Sequence, residues 1–182
     1  MFILYAIAIG LAAGIVLGGR LEALGELRFR WRWLAFGGLA VQVALFSDPI
    51  ASAIGAAGVP IYVASTLAVL ATVLRNIQLR GLILVAAGAV SNLVAIVANG
   101  GYMPADPGAL AFAGLDPKSG FSNSVTTADP VLRPLTDQFA LPAGVPLANV
   151  FSVGDVLIAL GIAVAIAAGM RGGRSRESQL PG

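Results

Sequence analysis

Residues 150–170 read VFSVGDVLIALGIAVAIAAGM, a run whose one charge is Asp155 and which ends at Arg171. A helix of about that length rises roughly 30 Å, the thickness of the hydrocarbon in a bilayer. At its start Ser152 and Asp155 stand three apart. That is the spacing of a capping box, in which a hydroxyl and a carboxylate satisfy the free amides of a first helical turn and the acid complements the helix dipole. Further along, Gly161, Ala165 and Gly169 recur at every fourth residue. They make a smooth stripe through which helices approach closely in lipid.

Four more runs of the same kind lie upstream, at about 2–19, 30–46, 60–75 and 81–98. Ser47-Asp48-Pro49 closes the second, Pro60 opens the third at a position proline favours, and Asn99-Gly100-Gly101 closes the fourth. Residues 49–58 are apolar but too short to span, which predicts a short outer helix or turn. Hydrophobic residues make up 58% of the 182 and charged ones 11%, against about 25% charged in a soluble domain. The expected fold is all-α: a polytopic membrane bundle of five transmembrane helices in one domain, 1–170. An ordered extracytoplasmic segment, 99–148, joins helices four and five, and a cytoplasmic tail, 171–182, follows.

The chain has no histidine and no cysteine. This excludes His-based triads, thiolate chemistry, disulfides, His or Cys zinc sites and His-ligated haem for the chain acting alone. No cofactor, metal site or catalytic residue is expected. Arg20, Arg28, Arg30, Arg32, Arg75, Arg80, Arg171, Arg174 and Arg176 share one side if all five runs cross, leaving Lys118 and Arg133 on the other. Short basic loops stay in the cytoplasm. The expected orientation is therefore N-terminus outside and C-terminus inside. Topology accounts for the basic residues, so nucleic acid is not an expected partner. The first run has no basic residues before it, so it reads as an uncleaved span.

Gly10, Gly14 and Gly18 form a second stripe on the first run, and Ala87, Ser91 and Ala95 a third on the fourth. Three such faces predict tight packing inside the bundle or against another subunit or copy, with the lipid bilayer as the remaining partner. Leu21, Leu24, Leu27 and Trp31 fall at helical spacing in the first inner loop, where alternating arginines and aromatics suit the headgroup layer. Few polar residues lie inside the spans. Gln42, Asn92, Asn99 and Asp155 all fall in the outer half and are the candidate lining of an outward-facing pocket. Asn92 is placed near the midplane and Asp155 about 8 Å below the outer end of its helix. The segment above them holds seven of the ten prolines and regularly spaced apolar residues, which predicts short helices and turns packed as a lid.

With NGGYMP (99–104) leaving the fourth run and NVFSVGD (149–155) entering the fifth, the chain resembles a family of uncharacterised bacterial five-helix membrane proteins, known as a domain of unknown function. That resemblance implies the topology and marks both motifs, without supplying an activity. Residues 149–158 are also similar to the second catalytic motif of lipoprotein signal peptidase, a membrane aspartyl protease. The first motif departs, since Ser91-Asn92-Leu93-Val94 is followed by Ala95 where an aspartate should stand. Asp106 or Asp48 are the candidate substitutes. Three functions are therefore weighed: a non-enzymatic accessory or structural subunit of a larger complex, which leads; a small-molecule or lipid binder or carrier; and a membrane hydrolase.

Overall fold

A computed structural model describes residues 2–115, 124–127 and 129–172. Arg174 and Arg176 of the tail, and Asp116, Lys118 and Phe121 of the outer segment, lie outside the described residues. In chain order the elements begin with α1 (Phe2–Val16), the single turn α2 (Glu22–Gly25), α3 (Arg32–Leu45) and α4 (Asp48–Ala53). A 3₁₀ turn, Gly55–Ala57, then leads into α5 (Gly58–Arg75), followed by α6 (Leu82–Ala98). The outer segment contains β1 (Met103–Ala105), α7 (Pro107–Ala113), β2 (Ser124–Thr126), a second 3₁₀ turn (Arg133–Leu135) and β3 (Phe139–Ala140). β4 (Val150–Phe151) then precedes α8 (Val153–Arg171).

The chain is mostly helical, and among the described residues two helices, Gly55–Arg75 and Val153–Arg171, are long and apolar enough to cross a membrane. The apolar helices at the first, second and fourth runs are shorter, at 15, 14 and 17 residues. The first was expected to reach residue 19. It stops at Val16 because Gly18 takes a left-handed φ of +73°. Gly19 N–H then bonds Gly14 C=O at 2.8 Å and Gly18 N–H bonds Ile15 C=O at 2.9 Å, the paired bonds of a Schellman stop. Gly18 is therefore a helix terminator rather than the third step of a packing stripe. Trp31, at φ +60°, delays the start of α3 in the same way.

Packing places α8 between α1 and α6, with α5 against α6 and α3 against α5. Gly10 and Gly14 face α8: a Cβ on Gly10 would stand 2.9 Å from the Ala163 backbone, and Gly14 lies on Met170. On the other side of α8, Gly161 and Ala165 meet Gly81, and a Cβ on Gly161 would come 2.6 Å from the Gly81 carbonyl oxygen. Gly169 lies beneath Leu24 and Leu27 of the inner loop. The stripes are thus used within the chain. The face that α6 turns to α8 runs through Gly81, Val85, Gly88 and Asn92, not through the expected Ala87, Ser91 and Ala95. Ala87 is exposed, and Ala95 is buried in the outer core with Leu45, Tyr62, Ile96 and Met103.

Asn76, fully buried just after α5, holds the inner loop. Its side chain donates to Arg30 C=O and accepts from Arg30 N–H, both at 2.8 Å. The outer segment has the turns and short helices expected, together with two small sheets that the sequence did not announce. β1 pairs with β2 in parallel and β3 pairs with β4 antiparallel. Phe139 stacks on Phe151 with ring centres 5.7 Å apart, which ties the segment to the start of α8.

Candidate functional site

The N-terminus of α8 is capped as its sequence suggests. Ser152 Oγ accepts from Asp155 N–H at 3.1 Å, and Asp155 Oδ2 accepts from Ser152 N–H at 3.0 Å. Asp155 thus stands in the first turn of α8, at the outer end of the helix rather than 8 Å below it. Its other oxygen, Oδ1, accepts from Asn92 Nδ2 of α6 at 2.8 Å. The single Ser152 hydroxyl proton has two acceptors in reach, Asn92 Oδ1 at 2.8 Å and Asp155 Oδ2 at 3.1 Å. Asn92 comes this close because residue 154 is glycine, since a Cβ there would collide with the Asn92 amide. Gly88 in turn sits on the Gly154 carbonyl. Two glycines therefore bring α6 and α8 together where the polar cluster forms.

Below the outer segment this cluster opens on a cavity of about 210 Å³. Gln42 of α3, Tyr62 and Thr66 of α5, Asn92 of α6 and Asp155 of α8 line it, with Val69, Leu70, Ile96, Ile158 and Met103 as apolar wall. Gln42 Nε2 donates to Thr66 Oγ1 at 3.2 Å, and Thr66 Oγ1 donates to Tyr62 C=O at 2.9 Å.

One further side chain enters from the outer segment. Asp137 lines the same cavity and is 7% exposed. Its backbone is pinned to β1: Asp137 N–H donates to Pro104 C=O and Asp106 N–H to Asp137 C=O, both at 2.9 Å. Thr136 beside it is fully buried. Among the described residues Asp137 Oδ1 is buried without a hydrogen-bond partner, which is uncommon for a native polar atom. Burial pushes the Asp137 carboxyl up from 3.8 to about 7, and the charge of Asp155 acts in the same direction.

A family model matches residues 26–167 and is described as a family of unknown function, DUF5317. The chain belongs to that family. The matched region begins after α1 and takes in every residue that lines the cavity. No curated protein and no solved structure matches the chain.

In this DUF5317 protein, three of the four residues proposed from sequence, Gln42, Asn92 and Asp155, come together around the cavity. Asn99 does not. Its amide donates to Ala95 C=O and to Val131 C=O and accepts from Val131 N–H, each at 2.8 Å. It pins the outer segment to the end of α6. The second carboxylate sought from Asp106 or Asp48 is not supplied by Asp106. Asp106 caps α7 through Gly108 and Ala109 and pairs with Arg133 at 3.4 Å, and the Asp48 side chain lies outside the described residues. Asp137 takes that place. Nothing in its local sequence signals burial, because it sits in a proline-rich stretch without helical or strand periodicity. Among the described residues no cluster of three or more acidic groups could hold a metal ion.

Proposed function

We propose that the chain is a multi-pass protein of the bacterial cytoplasmic membrane whose five apolar helices carry an outer-half binding site for a small molecule. Its N-terminus lies outside and its C-terminus in the cytoplasm. Supporting the membrane reading, apolar side chains cover outward faces of helices of every length: Ile9 and Ile15 on α1, Phe36 and Val43 on α3, Ile83 and Val97 on α6. Soluble monomers rarely expose such faces. The shorter helices fit a bilayer through local thinning and through flanking arginines and tryptophans at its interface.

Supporting the orientation, Arg20 N–H bonds Met170 C=O at 2.8 Å beside Arg171, and Asn76 clasps Arg30 beside Arg75. These contacts, with Leu24 and Leu27 over Gly169, bring Arg20, Arg30, Arg75 and Arg171 to one end. At the other, the Tyr5 hydroxyl donates to Pro146 C=O of the outer segment.

The observation that carries the binding reading is the cavity itself, in which polar side chains from four helices and the outer segment converge within an apolar wall. The accessory-subunit reading leans on small-residue stripes, and Gly10 and Gly14 of α1 and Gly161 and Gly169 of α8 are engaged inside the chain. A membrane hydrolase is a second reading, favoured by the arrival of Asp137 beside Asp155, since carboxyl groups in unlike surroundings suit acid–base work.

The test is retention. Small molecules are extracted from the purified wild-type protein and from Ala89→Leu, which fills the cavity wall, and compared by mass spectrometry. A species held by the wild type and lost from the filled variant supports binding. Identical extracts refute it. A compound retained by Asp137→Asn and recovered chemically cleaved from the wild type would select the hydrolase.

A further inference from the structure

Resting on the binding site just proposed, we infer that the ligand of this cavity is a small organic cation, an ammonium group carrying an apolar body, with its charge set against Asp137. The lining contains two carboxylates and, among its residues, no arginine or lysine; the chain has no histidine to supply a positive charge. An anion would meet uncompensated like charge there.

The two acids are not equivalent. Both oxygens of Asp155 are committed, Oδ1 to Asn92 and Oδ2 to Ser152. Oδ1 of Asp137 has no partner. Arg133, four residues before Asp137, is joined to Asp106 at 3.4 Å, and its Nε is also bound to Gln138. A ligand can supply the donor that Asp137 lacks among the described residues, and a charged donor satisfies a buried carboxylate best.

Size and wall chemistry narrow the class. A divalent metal ion would need six or more oxygen ligands or a cluster of acids, and among the described residues no such cluster exists. A cavity of about 210 Å³ exceeds what a bare monovalent ion fills, and a dry cavity of about 150 Å³ is enough for benzene. Val69, Leu70, Ile96 and Ile158 give the apolar body its surface, and Tyr62, braced edge-on by Phe46 with ring centres 5.4 Å apart, adds an aromatic side chain to the lining.

Three probes of matched shape test the assignment: 2-phenylethylamine, 2-phenylethanol and 3-phenylpropionate. Each is titrated at about pH 8, where the amine is protonated and Asp137 ionised, into the full chain in lipid nanodiscs. Ala89→Leu nanodiscs serve as the blank for partition into lipid. The expected result is wild-type binding of the amine about ten- to a hundredfold tighter than of the alcohol, the range for a hydrogen bond to a charged group, with no binding of the carboxylate. Asp137→Asn should erase the preference, while the wild-type comparison stands even if that variant does not fold.

Equal or tighter binding of the alcohol overturns the cation while leaving the site intact. A preference for the amine that survives in Asp137→Asn overturns the role of Asp137. An Asp137-dependent response to sodium chloride with none to the amine overturns the organic ligand. Binding of no probe beyond the Ala89→Leu blank counts against both the cation and the site.

Discussion

Asp137→Asn should remove a pH dependence of stability that the wild-type protein carries in its outer segment. The carboxyl titrates at about 7 in the folded chain against 3.8 ordinarily, so folding favours its protonated form. At pH below about 4 both states hold the proton and the group contributes no penalty. Between about 4 and 7 unfolding releases a proton, and stability falls by up to about 1.4 kcal/mol per pH unit. Above 7 the full cost of a buried carboxylate is present, about 4 kcal/mol from the two values above. The asparagine keeps the shape and leaves the orphaned oxygen in place, so its own cost does not vary with pH.

The assay is residual monodisperse protein on size exclusion after stepwise heating, at a series of pH values from 5 to 8. The chain has no cysteine, which rules out thiol-reactive dyes as reporters. Relative to the variant, the wild type should lose about 3 kcal/mol between pH 5 and pH 8, a fall of about 5–10 °C taking about 2–4 °C per kcal/mol for a chain of this length. Every other titrating group is common to both proteins, so only the difference between the curves is read. Burial is the larger cause of the raised value, so Asp155→Asn in the same series should leave most of the drop. Parallel curves for the wild type and Asp137→Asn would refute the claim that burial raises the titration of this carboxyl.

Gly154→Ala should destabilise the protein by about 2–4 kcal/mol, the sum of overpacking and of a broken buried hydrogen bond, because its Cβ would come 2.7 Å from Asn92 Cγ. Gly37→Ala, where nothing lies within 4 Å, is the control and should be neutral or stabilising; equal midpoints for the two variants would dissolve the α6–α8 contact described above. The absence of cysteine also makes orientation directly measurable. On intact spheroplasts an impermeant maleimide should label Gly144→Cys of the outer segment and reach Gln78→Cys only after lysis. The reverse pattern would invert the topology.

The helical bundle was legible because long uncharged runs punctuated by arginine, proline and glycine leave few alternatives. The ends of those runs were less so. A left-handed residue such as Gly18 or Trp31 stops or delays a helix without changing its hydrophobicity, and so α1 and α3 came out shorter than their apolar stretches. Of the small residues at four-residue spacing, Gly10 and Gly14 of α1 and Gly161 and Gly169 of α8 lie against neighbouring segments. On α6 the stripe was misplaced, since alanine-rich helices offer small residues on several faces and only the neighbour decides which is used.

The candidate site shows the same division. Asn92 and Asn99 lie seven residues apart, almost two full turns of one helix, so periodicity puts them on one face and cannot separate them. Depth does: Asn99 stands at the helix end, level with the outer segment, and Val131 takes its amide, while Asn92 lies below and takes Asp155. The cap and pocket readings of Asp155 looked like alternatives in the sequence because one carboxylate was being asked to serve one purpose. It has two oxygens. Oδ2 closes the capping box and Oδ1 receives Asn92, so Asp155 lines the cavity with its hydrogen-bonding already committed. The acid with spare capacity is Asp137, eighteen residues earlier in a stretch whose position depends on backbone bonds to Pro104 and Asp106. Those bonds join segments about thirty residues apart through an irregular loop, and no local pattern of side chains encodes them. It follows that the residue best placed to meet a ligand is the one that reading along the chain treats as an ordinary outer-loop charge.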